Sequence, residues 1–370
     1  MSGIYIHIPF CKQACVYCNF YFKVGSKNTG PLADAICDEI DLRQKEVDFN
    51  IETLYFGGGT PSFIDPVFIA EIIEQVKTIF KVTNFTELTL EANPDDISLE
   101  KLKLWKQYGI TRLSIGVQSF FNEHLKWMNR AHTAAEAESC IQMAIDLGFE
   151  VSIDLIFGAP NCSNEQWLQN LEKANNLPIQ HISCYGLTLE ENTPWKKLIF
   201  LKKYDSPDDD NTAEQFELTM NYMAANGWEQ YEISNYCRPG FMAKHNTGYW
   251  QNKPYIGFGP SAHSYNGIER LWNVAEIEAY YYAIENSILP IEKEILTDIQ
   301  KCNEYIMTQL RTCWGIQLAK ILKYNFKMEG FNEHINTYLS EQLITKENGF
   351  IKLTKEGKMF ADSIAGSLFF

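Results

Sequence analysis

Three cysteines, Cys11, Cys15 and Cys18, fall within eight residues in the run FCKQACVYCNF. The C-x3-C-x2-C spacing puts three thiolates on one short loop. A structural zinc site usually takes four ligands, commonly as two separated pairs. A dithiol redox site takes an isolated C-x-x-C. Three thiolates suit a [4Fe–4S] cluster with three irons held by protein and the fourth left open. An open iron is useful only where a second molecule ligates it.

In radical S-adenosylmethionine (SAM) proteins that second molecule is SAM, bound through its amino and carboxylate groups. One electron from the cluster can then cleave the sulfonium to a 5′-deoxyadenosyl radical. Other residues point to the same chemistry. The run YFGGGTPS carries three glycines, which let backbone N–H groups approach a ligand and tolerate positive φ. Glu91, Gln118, Arg130 and Asp154 lie at or after expected strand ends. Each alone reads equally well as a satisfied rim residue. Together they offer carboxylate, amide and guanidinium partners to a ribose and a methionyl carboxylate.

The elements that must position these groups alternate. IYIHI, IETLYF, ELTLEANP, RLSIGVQS, EVSIDLIFGAP and HISCYGLTLE read as strands. Helical periodicity falls between them: from Pro31, over Pro66–Phe80, in LEKLKLWKQYG, up to Leu147 and over Asn164–Asn176. Six βα repeats predict an α/β fold with a parallel sheet and right-handed crossovers. Cys11, residues 57–60, Glu91, Gln118, Asp154 and Tyr185 then share the C-terminal rim, where barrel active sites form. Eight strands would close a barrel, so six predict a partial (β/α)6 barrel over 1–205. Residues 206–290 begin with YDSPDDDNT, a loop able to cap the next helix, and continue through an aromatic and Gly/Pro-rich stretch expected as short strands and ordered loops. Helices are expected again from about Pro290, and 291–370 reads as an α+β, winged-helix-like accessory domain with a wing turning at 347–349. Residues 280–282 read as a helix face against the barrel.

With 370 residues, 45% hydrophobic and 21% charged, the chain can bury a large core. Lys+Arg 32 against Asp+Glu 47 gives a net charge of −15 with no basic block, which disfavours nucleic acid as a partner. No apolar run reaches membrane-spanning length, so no membrane anchor is expected, though contact with a membrane through a partner remains open. No signal peptide is evident, and a cytoplasmic location with reduced cysteines is expected. Cys37, Cys140, Cys162, Cys184, Cys237, Cys302 and Cys313 read mostly as small core residues.

Tyr5-x-His7-x-Pro9-Phe10-Cys11, the cysteine run, YFGGGTPS, EANPDD, SIGVQSF, SIDLIFGAP and GFGPSAHSY resemble the HemN/HemW branch of radical SAM proteins along essentially the whole chain. The resemblance implies the partial barrel, a [4Fe–4S] cluster on Cys11, Cys15 and Cys18, and the C-terminal accessory domain. It also implies SAM contacts at Tyr5, Tyr17, Gly58, Gly59, Thr60, Glu91, Gln118, Arg130, Asp154 and Gly186, some of which touch a second SAM in oxidase members.

Two branches divide here. HemN-type oxygen-independent coproporphyrinogen III oxidases carry a fourth cysteine, C-x3-C-x2-C-x-C, and a long N-terminal extension. This sequence has Phe20 at that position and ten residues before Cys11. Both features resemble HemW-type heme chaperones, which bind heme and deliver it to respiratory hemoproteins. KHNTGYW at 244–250 matches the H-N-x-x-Y-W element associated with heme in that branch. It implies His245 as an iron ligand, with Tyr249 and Trp250 covering the porphyrin. His7 and His263 compete for that role. The residues do not separate a chaperone from an enzyme that consumes SAM. Coproporphyrinogen oxidation, or radical chemistry on an unrelated small substrate, stays open at this point.

Overall fold

A computed structural model of the chain describes residues 2–25 and 29–370. Six parallel strands form the expected βα series: Ser2–Ile8, Ile51–Gly58, Glu87–Ala92, Arg112–Gln118, Glu150–Phe157 and His181–Gly186. Alternation sets their two faces. Ile4, Ile6, Leu54, Phe56, Leu88, Leu90, Leu113, Ile115, Val151 and Ile153 are buried in the main hydrophobic core, while Tyr5, Tyr55, Glu91, Ser114 and Asp154 occupy the other parity. The intervening helices start on local signals. Asp65 accepts from the Val67 N–H, and Thr133/Glu136 and Ser163/Gln166 form reciprocal capping boxes.

The sheet is wider than six strands. Tyr255–Phe258 adds to the free side of Ser2–Ile8 as a seventh parallel strand, followed by antiparallel His263–Tyr265, Glu269–Asn273 and Ile291–Ile295. Two short antiparallel strands, Asn235–Cys237 and Glu229–Gln230, extend the opposite end. No ladder joins the two ends among the described residues, so the barrel stays open.

Two segments differ from the reading of the sequence. Residues 244–250, expected among strands and loops, form the helix Lys244–Trp250. Its first turn is satisfied from a distance: the Glu87 carboxylate accepts from the N–H groups of Lys244 and His245 at 2.6 and 3.1 Å. A cap supplied from another strand leaves no local signature. Immediately after Pro290 the chain is a strand, because Ile291–Ile295 pairs along the whole of Glu269–Asn273. Asp208 does cap its helix, accepting from Asn211. Tyr280 is buried against the barrel, and its hydroxyl donates to Glu39.

A second hydrophobic cluster, from Cys302 to Leu368, begins with the helix Asp298–Leu310. It includes a three-stranded sheet whose hairpin turns through Asn348 and Gly349, both at positive φ, the two-residue arrangement that matches strand twist. This unit joins the barrel through Ile233 N–H to the Arg311 carbonyl, 3.1 Å, and Cys313 N–H to the Tyr231 carbonyl, 2.9 Å. Of the cysteines expected in the core, Cys140, Cys162, Cys184, Cys237 and Cys302 are buried, Cys37 is half-buried and Cys313 is exposed. No helix among the described residues is long and apolar enough to cross a membrane.

Candidate functional site

Short contacts hold the cysteine loop at the barrel rim. Phe10–Cys11 pairs with Lys23–Val24 and closes the loop on itself. Val16 N–H donates to the Met128 carbonyl at 3.2 Å, Asn129 Nδ2 to the Ala14 carbonyl at 2.7 Å, and Trp195 N–H to the Val16 carbonyl at 2.8 Å. The thiols of Cys11, Cys15 and Cys18 line a cavity of about 640 Å³. Among the described residues no three Cys, His, Asp or Glu side chains focus on one ion. A cubane does not need that focus, since each thiolate binds a different iron.

Tyr17, Gly58, Gly59, Thr60, Glu91, Gln118, Arg130, Asp154 and Gly186 line the same cavity. Thr60 Oγ1 donates to Cys11 Sγ at 3.3 Å, and Arg130 Nη1 to Cys15 Sγ at 3.4 Å. Arg130 Nη2 is shared between Asn93 Oδ1 at 2.5 Å and the Gly116 carbonyl at 2.8 Å. Burial pushes the Glu91 carboxyl up to about 7, against a Tyr55 hydrogen bond that lowers it and a nearby Asp154 that raises it. Burial likewise pushes Asp154 up to about 6.

These residues fit a cluster with SAM on three counts. Gln118 Oε1 and Arg130 Nε are buried without a hydrogen-bond partner, polar groups aimed at something absent from the chain itself. Gln118 sits at φ 67°, in a register shift between Gly116 and Gln118, a strained backbone of the kind found at ligand sites. Finally, Gly58 and Gly59 put bare backbone on the cavity lining beside Thr60; a Cβ on Gly59 would also meet the Phe10 carbonyl oxygen at 2.8 Å.

Tyr5 stands apart from the other expected SAM contacts. It lines a second cavity, of about 810 Å³, on the far side of a wall formed by Phe20, Glu91 and Tyr185, which line both. The second cavity is largely aromatic, with Tyr55, Tyr249, Trp250, Tyr255 and Tyr265 around it, and its lining includes three cations, Lys253, Arg270 and Arg311. Tyr5 stacks on Tyr55 at 6.1 Å, and Tyr55 on His245 at 5.0 Å.

His245 itself does not line the cavity. It is 3% exposed, with Nδ1 2.8 Å from Thr53 Oγ1 and Nε2 2.7 Å from the Tyr249 hydroxyl. Burial drives its pKa down to about 3. The iron-ligand role expected of His245 therefore meets a ring whose two nitrogens are both engaged, beneath the aromatic wall. Asn93, Ser114 and Gly116 were not anticipated in the first cavity, nor Arg270 and Arg311 in the second. Asn93, two residues past Glu91 in EANPDD, had a sequence signal. Arg311 comes from the C-terminal unit and had none.

The model of the Radical SAM superfamily matches residues 5–174. The heme chaperone HemW of Bacillus subtilis (strain 168) is 32% identical over 376 residues, covering 99% of each chain. The heme chaperone HemW of Mycobacterium tuberculosis (strain H37Rv) is 31% identical over 373 residues, covering 99% of this chain and 94% of that one. In three dimensions the chain is similar to the coproporphyrinogen III oxidase HemN from Escherichia coli, a radical SAM enzyme, with a TM-score of 0.85 at 20% identity over 99% of this chain and 89% of that one. At that identity the likeness establishes the fold. With full-length relatives above 30% identity, the chain belongs to the HemW family of radical SAM proteins.

Proposed function

We propose that this chain binds heme and passes it to a recipient hemoprotein, on a scaffold that also holds a [4Fe–4S] cluster and SAM. The observation that carries this reading is the pair of adjoining cavities with different chemistry. The first offers soft thiol ligands, a glycine floor and convergent polar groups. The second offers an aromatic enclosure with cations in its lining, suited to a flat apolar macrocycle with carboxylate arms, and its size lies within the usual range for small-molecule sites.

In the first cavity Cys11, Cys15 and Cys18 would hold the cluster, which when bound supplies single electrons to SAM. Arg130 and Gln118 would take the polar groups of SAM, and Glu91 and Asp154 would face its hydroxyls. Tyr17, beside Cys15, would screen the cluster from water. In the second, Tyr249 and Trp250 of the 244–250 helix would form porphyrin walls, with His245 fixing the Tyr249 hydroxyl. Phe20, 73% exposed and lining both cavities, fits a contact surface better than a fourth ligand. All ten cysteines are free, in keeping with the reducing cytoplasm.

The test is a heme titration of cluster-reconstituted protein followed at the Soret band, run beside an anaerobic coproporphyrinogen turnover assay. Saturable heme binding without turnover is expected. SAM-dependent decarboxylation without tight heme binding would replace the chaperone with an oxidase.

A further inference from the structure

Resting on the heme-chaperone reading above, we propose that heme iron in the second cavity is ligated by His263. Three histidines lie in or beside this cavity. His245 has both ring nitrogens bonded and lies behind Tyr55 and Tyr249. His7 lines the cavity but is 6% exposed, and its Nδ1 is 3.1 Å from the Tyr5 hydroxyl. Its Nε2 has no hydrogen-bond partner among the described residues, but the ring is packed on Gly58, where an added Cβ would lie 2.6 to 2.9 Å from Cε1, Nδ1 and Nε2, so it is held against the glycine turn rather than presented to the cavity.

His263 differs on each point. It is exposed, it lines the cavity, and no hydrogen bond engages its ring, whose aromatic neighbour is Trp272 at 6.2 Å. Its backbone is nevertheless fixed. His263 pairs with Trp272, and Tyr265 with Arg270, so the hairpin presents His263, Tyr265 and Arg270 on one face, and all three line the cavity. Ser264, on the opposite face, is buried, and its Oγ accepts from the Gly257 N–H at 2.9 Å and from Arg43 Nη2 at 3.3 Å. A rigid strand thus offers a free imidazole to a pocket of aromatic walls. Coordination needs only the imidazole lone pair, with no redox change. Arg270 and Arg311 are paired with Glu304 and Asp362, so among the described residues Lys253 is the lining cation without an acidic partner, poised for a ligand carboxylate.

The experiment titrates ferric heme into the full cluster-reconstituted chain, as wild type, His263→Ala and His245→Ala, reading Soret spectra and heme EPR. His263→Ala should bind heme at least about tenfold more weakly and lose the imidazole-ligated signature. Free imidazole should restore that signature. His245→Ala should retain it, whatever its affinity. An unchanged spectrum and affinity in His263→Ala, or a signature lost only in His245→Ala, would overturn the assignment while leaving heme binding intact. Failure of the wild type to bind heme would overturn the chaperone reading and this assignment together.

Discussion

The Tyr55 hydroxyl donates to Glu91 Oε1 at 2.6 Å, linking a residue of the second cavity to one that lines both. The Gly58 N–H donates to the other oxygen at 3.1 Å. One carboxyl thus ties the aromatic enclosure to the glycine turn beside the cysteines. Whatever alters Glu91 is felt on both sides.

Glu91 makes stability depend on pH. Its folded pKa, near 7, lies above its ordinary 4.5 because burial penalises the charge. The folded state therefore holds this proton more tightly than the unfolded chain. The resulting stabilisation is complete below about pH 4.5 and is lost as pH rises through about 7, on the order of 3 kcal/mol. Chemical denaturation of wild type and Glu91→Gln from pH 4.5 to 8 should show a shallower decline in the variant. Parallel profiles would contradict this protonation.

Gln118 carries strain that glycine would relieve. Gln118→Gly should leave the protein as stable or about 1 kcal/mol more so, because φ 67° favours glycine. The same change removes the unpartnered amide, so SAM binding by reconstituted protein should weaken about tenfold. Calorimetric titration separates the two effects, and a variant that binds SAM like wild type would remove Gln118 from the ligand set.

The cluster should follow the three cysteines and ignore the fourth position. Single Cys11→Ala, Cys15→Ala and Cys18→Ala variants should lose most of their iron and acid-labile sulfide. Phe20→Ala should keep both, since the phenyl ring contributes no ligand. Iron and sulfide analysis after anaerobic reconstitution decides this.

Glu39 fixes the strand that carries His263. Its carboxylate accepts from Arg43 Nη1, the Gly259 N–H and Asn273 Nδ2, each at 2.8 Å, and from the Tyr280 hydroxyl at 2.7 Å, all buried. Glu39→Ala leaves buried Arg43 with only the more exposed Glu46 as its acidic partner, and strips the Gly259 N–H, Asn273 and Tyr280 of their shared acceptor, which should cost about 3 kcal/mol. Denaturant titration measures the loss, and a cost below 1 kcal/mol would show that the network is not what holds this strand.

The barrel was legible because local signals agreed. Strand alternation, capping boxes at Thr133 and Ser163, and the glycine turn all lie within short windows of sequence. The first cavity followed, since its residues sit at successive strand ends. Longer-range structure was not legible. The helix at Lys244–Trp250 depends on Glu87, over 150 positions away. The seventh parallel strand, Tyr255–Phe258, depends on pairing with the start of the chain. The second cavity needs both, together with Arg311 from the C-terminal unit. The contacts of His245 with Thr53 and Tyr249 were not legible either, since Thr53 lies far off in the chain.

The central claim is delivery, and heme transfer tests it most directly. Heme-loaded, cluster-reconstituted protein would be mixed with an apo-hemoprotein, and the Soret band followed from donor to acceptor. The account predicts that the acceptor fills and the donor empties, faster than from free heme of equal concentration restrained by a bulk carrier such as albumin. Heme that stays on the donor, or that moves no faster than from the bulk carrier, would contradict it.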